Sequence, residues 1–221
     1  MLLLHGLSSA GPVWRQVAGA LDASGQTPVA PDLRGHGESP HPGAYGLDAY
    51  TRDVLETCPG PWDLVIGHSL GGAVAVRAAS MDRSFAAAYL LIDPAITFDK
   101  TTAEEVHTSI VAEVTDPPSV DALMAEHPRW RRGDAERQRA SLLATSVEVI
   151  RRTFTDNQEW SLGKQLASIS TPVHILGAAE NPLYTAEDFA VHQIGAIAVT
   201  FEQVPETSHS IYRDAPETVI E

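Results

Sequence analysis

The pentapeptide Gly67-His68-Ser69-Leu70-Gly71 lies between a short apolar run, residues 64–66, and a segment rich in alanine and valine, residues 70–81. The setting constrains the fold more than the pattern alone. G-x-S-x-G between a buried strand and a helix describes a sharp strand-to-helix turn, with the serine hydroxyl lifted above the sheet. The glycines leave room where the helix turns back on the strand. Leu70 N–H then falls at the helix start, where backbone donors lack intrahelical partners and can face a developing oxyanion. A glycine-rich turn with an incidental serine is the plainer alternative, and it would not require this strand and this helix.

The rest of the chain supplies more of the same alternation. Residues 2–4, 28–30, 64–66, 88–92, 173–176 and 199–204 read as brief buried strands. Between them lie helical patterns at 12–23, 70–81 and 185–194, the last opened by Thr185 and Asp188 in capping-box spacing. Strands alternating with helices imply an α/β fold with a mostly parallel sheet covered on both faces. The alternation stops after Asp93. Thr101 and Glu104 read as a capping box before one helix, residues 118–127 suggest a second, and 134–156 a long third. The third carries an apolar stripe of Ala140, Leu143, Val147, Ile150 and Phe154. Residues 97–161 are therefore expected to form a helical cap inserted into a core made of 1–96 and 162–221. It would sit over the carboxyl edge of the sheet, where open α/β sheets bind ligands.

Four segments in order, "HGLSSAG", "DLRGHGES", "GHSLGG" and "SHSIYRDAPE", resemble the α/β-hydrolase family over nearly the whole chain, particularly its small ester hydrolases with a helical cap. The resemblance implies a second oxyanion donor at the Leu7 amide. It implies structural roles for Asp32, Arg34, Gly35, His36 and Gly37. A serine needs a base to become nucleophilic, and His209, just past the last strand, is the candidate, in the family's order of serine, acid, histidine. His68 is expected to shape the pocket and His174 to be packed within its strand. His107, His127 and His192 read as surface residues.

The acid is less determined. The resemblance points to the loop "LGAAENPLY". Counting from Gly177 gives Glu180, and counting back from Pro182 gives Asn181. An ionised carboxylate must orient the histidine, so Glu180 is preferred. Asp93, at the end of the preceding strand, is the alternative, since some relatives draw the acid from there. The resemblance also implies a two-strand hairpin ahead of residue 1 and a longer last helix. Both ends are thus expected to be trimmed, with the strand at 28–30 left as a sheet edge that is bare or paired with a neighbouring chain.

The chain of 221 residues has a formal net charge of -14, which disfavours a nucleic-acid partner. It has no run long enough for a membrane span, and its single cysteine fits a cytoplasmic location. Seven arginines between 129 and 152 invert that charge locally, and Arg139 and Arg151 could hold a substrate carboxylate. The expected function is a serine hydrolase acting on a small carboxylic ester or lactone, with an anionic substrate as the reading the arginines suggest, and without cofactor or metal. Its catalytic residues would be Ser69, His209 and Glu180, with Leu7 and Leu70 N–H in the oxyanion hole. Hydrolysis of a C–C bond or a lyase step with the same residues, or a non-catalytic ligand-binding role, are the alternatives. The oligomeric state stays open.

Overall fold

The computed structural model describes residues 1–192 and 199–220. Five parallel strands form one sheet whose spatial order follows the chain: β1 (Leu2–Leu4), β2 (Val65–His68), β3 (Tyr89–Ile92), β4 (Val173–Ala178) and β5 (Val199–Val204). Side chains alternate across it with the two-residue period of a strand. Leu2, Leu4, Val65, Leu91 and Ile175 join the core that packs against α2 (Leu47–Thr57) and α3 (Leu70–Met81). Leu3, Ile66, Ile92 and Leu176 join the core on the opposite face. There they meet α1 (Arg15–Ala23) and residues of two short helices near the C-terminal end of the described chain, Ile211–Asp214 and Pro216–Ile220. Both faces are covered, which is why the strand at the start of the chain can read as three consecutive leucines, all fully buried.

The run at 28–30 is not a strand. Val29 exchanges two backbone hydrogen bonds with β1's end of the chain, donating to Met1 O at 2.9 Å and accepting from Leu3 N–H at 2.8 Å. Its pairing amounts to a single bridge with Leu2. Pro28 and Pro31 flank it and lack the amide donors a ladder needs. Val29 is 38% exposed, and among the described residues no further segment bridges to its outer side.

Between β3 and β4 the described chain is helical: α4 (Lys100–Thr115), α5 (Val120–Glu126), α6 (Arg132–Ala144), α7 (Val147–Thr155) and α8 (Gly163–Ala167). An antiparallel bridge between Thr97 and Ser161 closes the base of this excursion. Two sequence expectations need correction. The cap of α4 is Asp99, whose carboxylate accepts from Thr102 N–H at 2.8 Å, rather than Thr101. The long helix at 134–156 is two helices, because Ser146 caps α7 by accepting from Val149 N–H. That break resets the helical phase, so Ala140 and Leu143 face solvent while Leu142 and Ile150 pack against Val114 of α4. The Thr185–Asp188 capping box does form, at 2.9 and 3.1 Å, and opens α9 (Ala186–His192). Residues 193 and 194 of the expected helix lie outside the described residues. Among the described residues no helix is long and apolar enough to cross a membrane. The short helices after β5 are α10 (Ile211–Asp214) and α11 (Pro216–Ile220).

The turn from β2 to α3 leaves no space for side chains at its glycines. A Cβ on Gly71 would lie 2.1 Å from the Leu4 carbonyl oxygen, and one on Gly67 would lie 2.6 Å from the Gly71 carbonyl oxygen. These obstacles are backbone and cannot rotate away. Gly71→Ala is expected to destabilise the fold by about 3 kcal/mol or more, the upper end of overpacking costs. Urea unfolding checks this, and an unchanged midpoint would contradict the close helix–strand packing.

Candidate active site

Ser69 occupies the corner between β2 and α3 with φ 51° and ψ -116°, a conformation that side chains disfavour. Hydrogen bonds on both sides hold it there. Ser69 N–H donates to Ile92 O at 3.1 Å, and Ser69 O accepts from Ala73 and Ala95 N–H, each at 3.1 Å. The strained turn is thus locked by the neighbouring strand and the helix it starts. Leu70 N–H and Leu7 N–H donate to no protein acceptor among the described residues.

His209 lies in the loop before α10. Its Nδ1 is 2.6 Å from Asp93 Oδ2. Asp93 is fully buried at the end of β3 and also accepts from Leu183 N–H at 3.1 Å and Tyr184 N–H at 3.2 Å. These donors offset the loss of water around the carboxylate. Because a carboxylate accepts, Nδ1 is the donor of this pair, and in the neutral ring that leaves the Nε2 lone pair free. The structure corrects the expectation for Glu180. That residue is exposed, and its backbone N–H binds Thr207 O at 3.0 Å. The loop after β4 turns its Leu183 and Tyr184 amides toward Asp93 and leaves the Glu180 side chain away from His209. Asn181 lines the cavity with φ 47° but makes no bond to His209 among the described residues. Nor does a hydrogen bond join Ser69 Oγ to His209 there; such contacts often tighten only when substrate binds.

Three further histidines are structural. His5 Nδ1–H donates to Gly6 O at 2.8 Å, and its Nε2 accepts from Leu33 N–H at 2.9 Å. His36 Nδ1–H donates to Arg34 O at 2.9 Å, and its Nε2 accepts from Ser8 N–H at 3.2 Å. Together they fasten the loop carrying Leu7 to the segment around Asp32. Asp32 itself accepts from Gly11 N–H at 2.6 Å and Glu38 N–H at 2.9 Å. His68 Nε2–H donates to the His209 carbonyl at 3.0 Å and so steadies the His209 loop. Burial drives the pKa of His5 down to about 4 and that of His36 down to about 3. Burial, helped by the nearby His209, likewise pushes His68 well below its usual value.

These shifts predict an acid-sensitive fold. In the unfolded chain each histidine takes a proton near pH 6.5, while the folded protein resists protonation until much lower pH. Their contribution is complete above about pH 6.5 and is lost as pH falls from there toward about 4 and below. Three such groups give a slope of roughly 4 kcal/mol per pH unit. Urea unfolding is expected to show several kcal/mol less stability at pH 5 than at pH 7. Equal stability at the two pH values would contradict neutral burial.

A cavity of about 700 Å³ opens over Ser69 and His209. Its floor includes Leu7, His68 and Leu183, and its walls include α4 and α5 residues with Trp130. His127, read from sequence as a surface residue, lines it and stacks on Trp130 with ring centroids 4.0 Å apart. His174, expected to be packed, has a side chain 41% exposed, because it faces Thr200 and Glu202 of β5. None of the seven arginines between 129 and 152 lines this cavity. Arg139 donates to the carbonyls of Pro117 and Pro118, and Arg151 lines a separate cavity beside Phe98, Phe154 and Trp160. The other five include Arg129, Arg132, Arg137 and Arg152, which pair with Glu206, Asp121, Asp134 and Asp156. Arg132 joins α6 to α5, Arg129 reaches the loop after β5, and Arg137 and Arg152 pair along their own helices. Sequence reading passed over Arg213, a buried residue that lines the cavity; its only signal was its place four residues after His209.

A family model described as the alpha/beta hydrolase family matches residues 1–221. Lipase LipV of Mycobacterium tuberculosis is 31% identical over 150 residues, covering 58% of this chain and 56% of the lipase. The chain thus spans about half the length of that curated relative. An sn-1-specific diacylglycerol lipase of Danio rerio is 24% identical over 98% of this chain and 74% of its own length. Among solved structures, an esterase from Exiguobacterium antarcticum superposes with a TM-score of 0.81 at 16% identity, covering 99% of this chain and 88% of the esterase. An E-2-(acetamidomethylene)succinate hydrolase superposes with a TM-score of 0.78 at 22% identity, covering 100% and 88%. These two likenesses concern the fold.

Proposed function

The chain belongs to the alpha/beta hydrolase family, and on that premise we propose that it is a serine hydrolase cleaving a small carboxylic ester or lactone. The observation that carries the reading is the 2.6 Å contact between His209 Nδ1 and buried Asp93 beside the cavity that Ser69 lines. Ser69 Oγ attacks the carbonyl while His209 Nε2 takes its proton. The tetrahedral oxyanion is held by the Leu7 and Leu70 N–H groups, neither of which has a protein acceptor among the described residues. His209, now an imidazolium stabilised by Asp93, returns the proton to the departing alcohol and leaves an acyl-enzyme. Water activated by the same histidine releases the acid. Residues 97–161 act as a cap whose helices α4 and α5 wall the cavity. The buried free thiol of Cys58 fits a reducing, cytoplasmic location.

Fluorophosphonate labelling beside turnover of p-nitrophenyl esters of short and long acyl chains tests this. Wild type is expected to label and turn over, and Ser69→Ala to do neither. Labelling that persists in Ser69→Ala would end the serine-hydrolase reading.

A further inference from the structure

Arg213 on α10 is 4% exposed, yet among the described residues it has no carboxylate partner. Its guanidinium lies over the rings of Trp130, at 4.4 Å, and Tyr212, at 4.9 Å. Nη2 donates to Gln138 Oε1 at 2.8 Å, and Nε is buried with no partner. A guanidinium withdrawn from water needs an opposite charge or a full set of acceptors. One amide oxygen and two ring faces supply only part of that. The comparison with Arg137 is direct, since that side chain reaches Asp134 at 2.6 Å. Arg213, Trp130, Gln138 and Tyr212 all line the cavity that holds Ser69 and His209.

We propose that Arg213 receives a carboxylate of the substrate, remote from the ester cleaved at Ser69, so that the enzyme prefers monoesters of small dicarboxylic acids. The inference rests on the hydrolase reading above. The same cavity also carries Glu113, Asp116 and Glu126. Asp116 and Glu126 are solvent-exposed, where water and salt weaken their field; Glu113 is also accessible, but partial burial and the nearby Glu126 raise its pKa, so its negative charge is held less firmly. An equal charge separation interacts about four-fold more strongly in a partly buried setting than in water. At equal distance the buried Arg213 guanidinium therefore acts on a bound carboxylate more strongly than the accessible carboxylates do. An arginine serving only to bolt α10 to Trp130 would be indifferent to substrate charge, and this separates the two roles.

The test compares monomethyl adipate with methyl hexanoate, matched in chain length, by acid release at pH 7.5. Wild type is expected to favour the anionic ester by roughly tenfold or more in kcat/KM, the worth of a charged hydrogen bond. Arg213→Met is expected to lose that preference, and Arg213→Lys to keep part of it. Equal kcat/KM for the two esters in wild type, or a preference that survives Arg213→Met, would overturn the proposal. Should Arg213→Met not fold, the wild-type and Arg213→Lys ratios still decide. Calorimetry on Ser69→Ala measures binding of the same two esters without turnover. Preferential binding of monomethyl adipate there, with no labelling of wild-type Ser69, would retain the anion site and reject the hydrolase reading. Labelling of wild type with no such preference would reject the anion site alone.

Discussion

Asp93→Asn is expected to lower kcat by about 10⁴-fold, while Glu180→Gln changes it by less than about two-fold. The asymmetry follows from hydrogen-bond direction. At position 93 one side-chain oxygen must accept from the Leu183 and Tyr184 amides, which point at it from the loop after β4. An asparagine would turn its oxygen to those amides and its NH2 group to His209 Nδ1. Nδ1 would then have to accept, the ring proton would move to Nε2, and the base facing Ser69 would be lost. Glu180 is exposed and makes no contact with His209 among the described residues. Steady-state turnover of one p-nitrophenyl ester by both variants settles the assignment. A loss concentrated in Glu180→Gln would mean that the loop rearranges to supply the acid.

Removing the proposed nucleophile should have the largest effect of all, and it separates chemistry from stability. Ser69→Ala and Ser69→Gly are each expected to lose about 10⁶-fold in kcat, as removal of a nucleophile that acts together with its base typically does. Their stabilities should differ. At φ 51° and ψ -116° any residue with a Cβ carries strain of about 1–3 kcal/mol. Glycine is free of it and gives up about 0.5–1 kcal/mol through its more flexible unfolded chain. Ser69→Gly is therefore expected to be the more stable of the two by about 1 kcal/mol, visible as a higher midpoint in urea. If the two variants unfold together, the turn is not strained in solution.

The cavity shows how far a motif can carry an argument. Ser69 was legible because the demands on its neighbours are local: a strand before it, a helix after it, and glycines where Leu4 and Gly71 carbonyls come close. His36 was legible as scaffold only through the resemblance, and its two ring hydrogen bonds now give that role a physical basis. The seven arginines misled because charge density along a chain says nothing of direction: Arg129 and Arg132 turn to Glu206 and Asp121 on other segments, while Arg137 and Arg152 turn to Asp134 and Asp156 three and four residues away along their own helices. The helix at 134–156 misled because periodicity continues across Thr145 and Ser146 even where a capping serine ends one helix and starts another.

By itself the sequence determined the parallel α/β architecture, the corner holding Ser69 and the order of the elements around it, since apolar runs, glycines and turn residues act over a few positions. Only the tertiary structure decided which carboxylate meets His209. Asp93 is 116 residues away in the chain, and two loops offered an acid of suitable chemistry. The choice fell to the amides of residues 183 and 184, which satisfy a buried carboxylate at 93 and leave Glu180 in water. The same holds for Arg213. Its charge was plain in the sequence, but its burial against Trp130, with no carboxylate beside it among the described residues, arises from packing between segments that are distant in the chain.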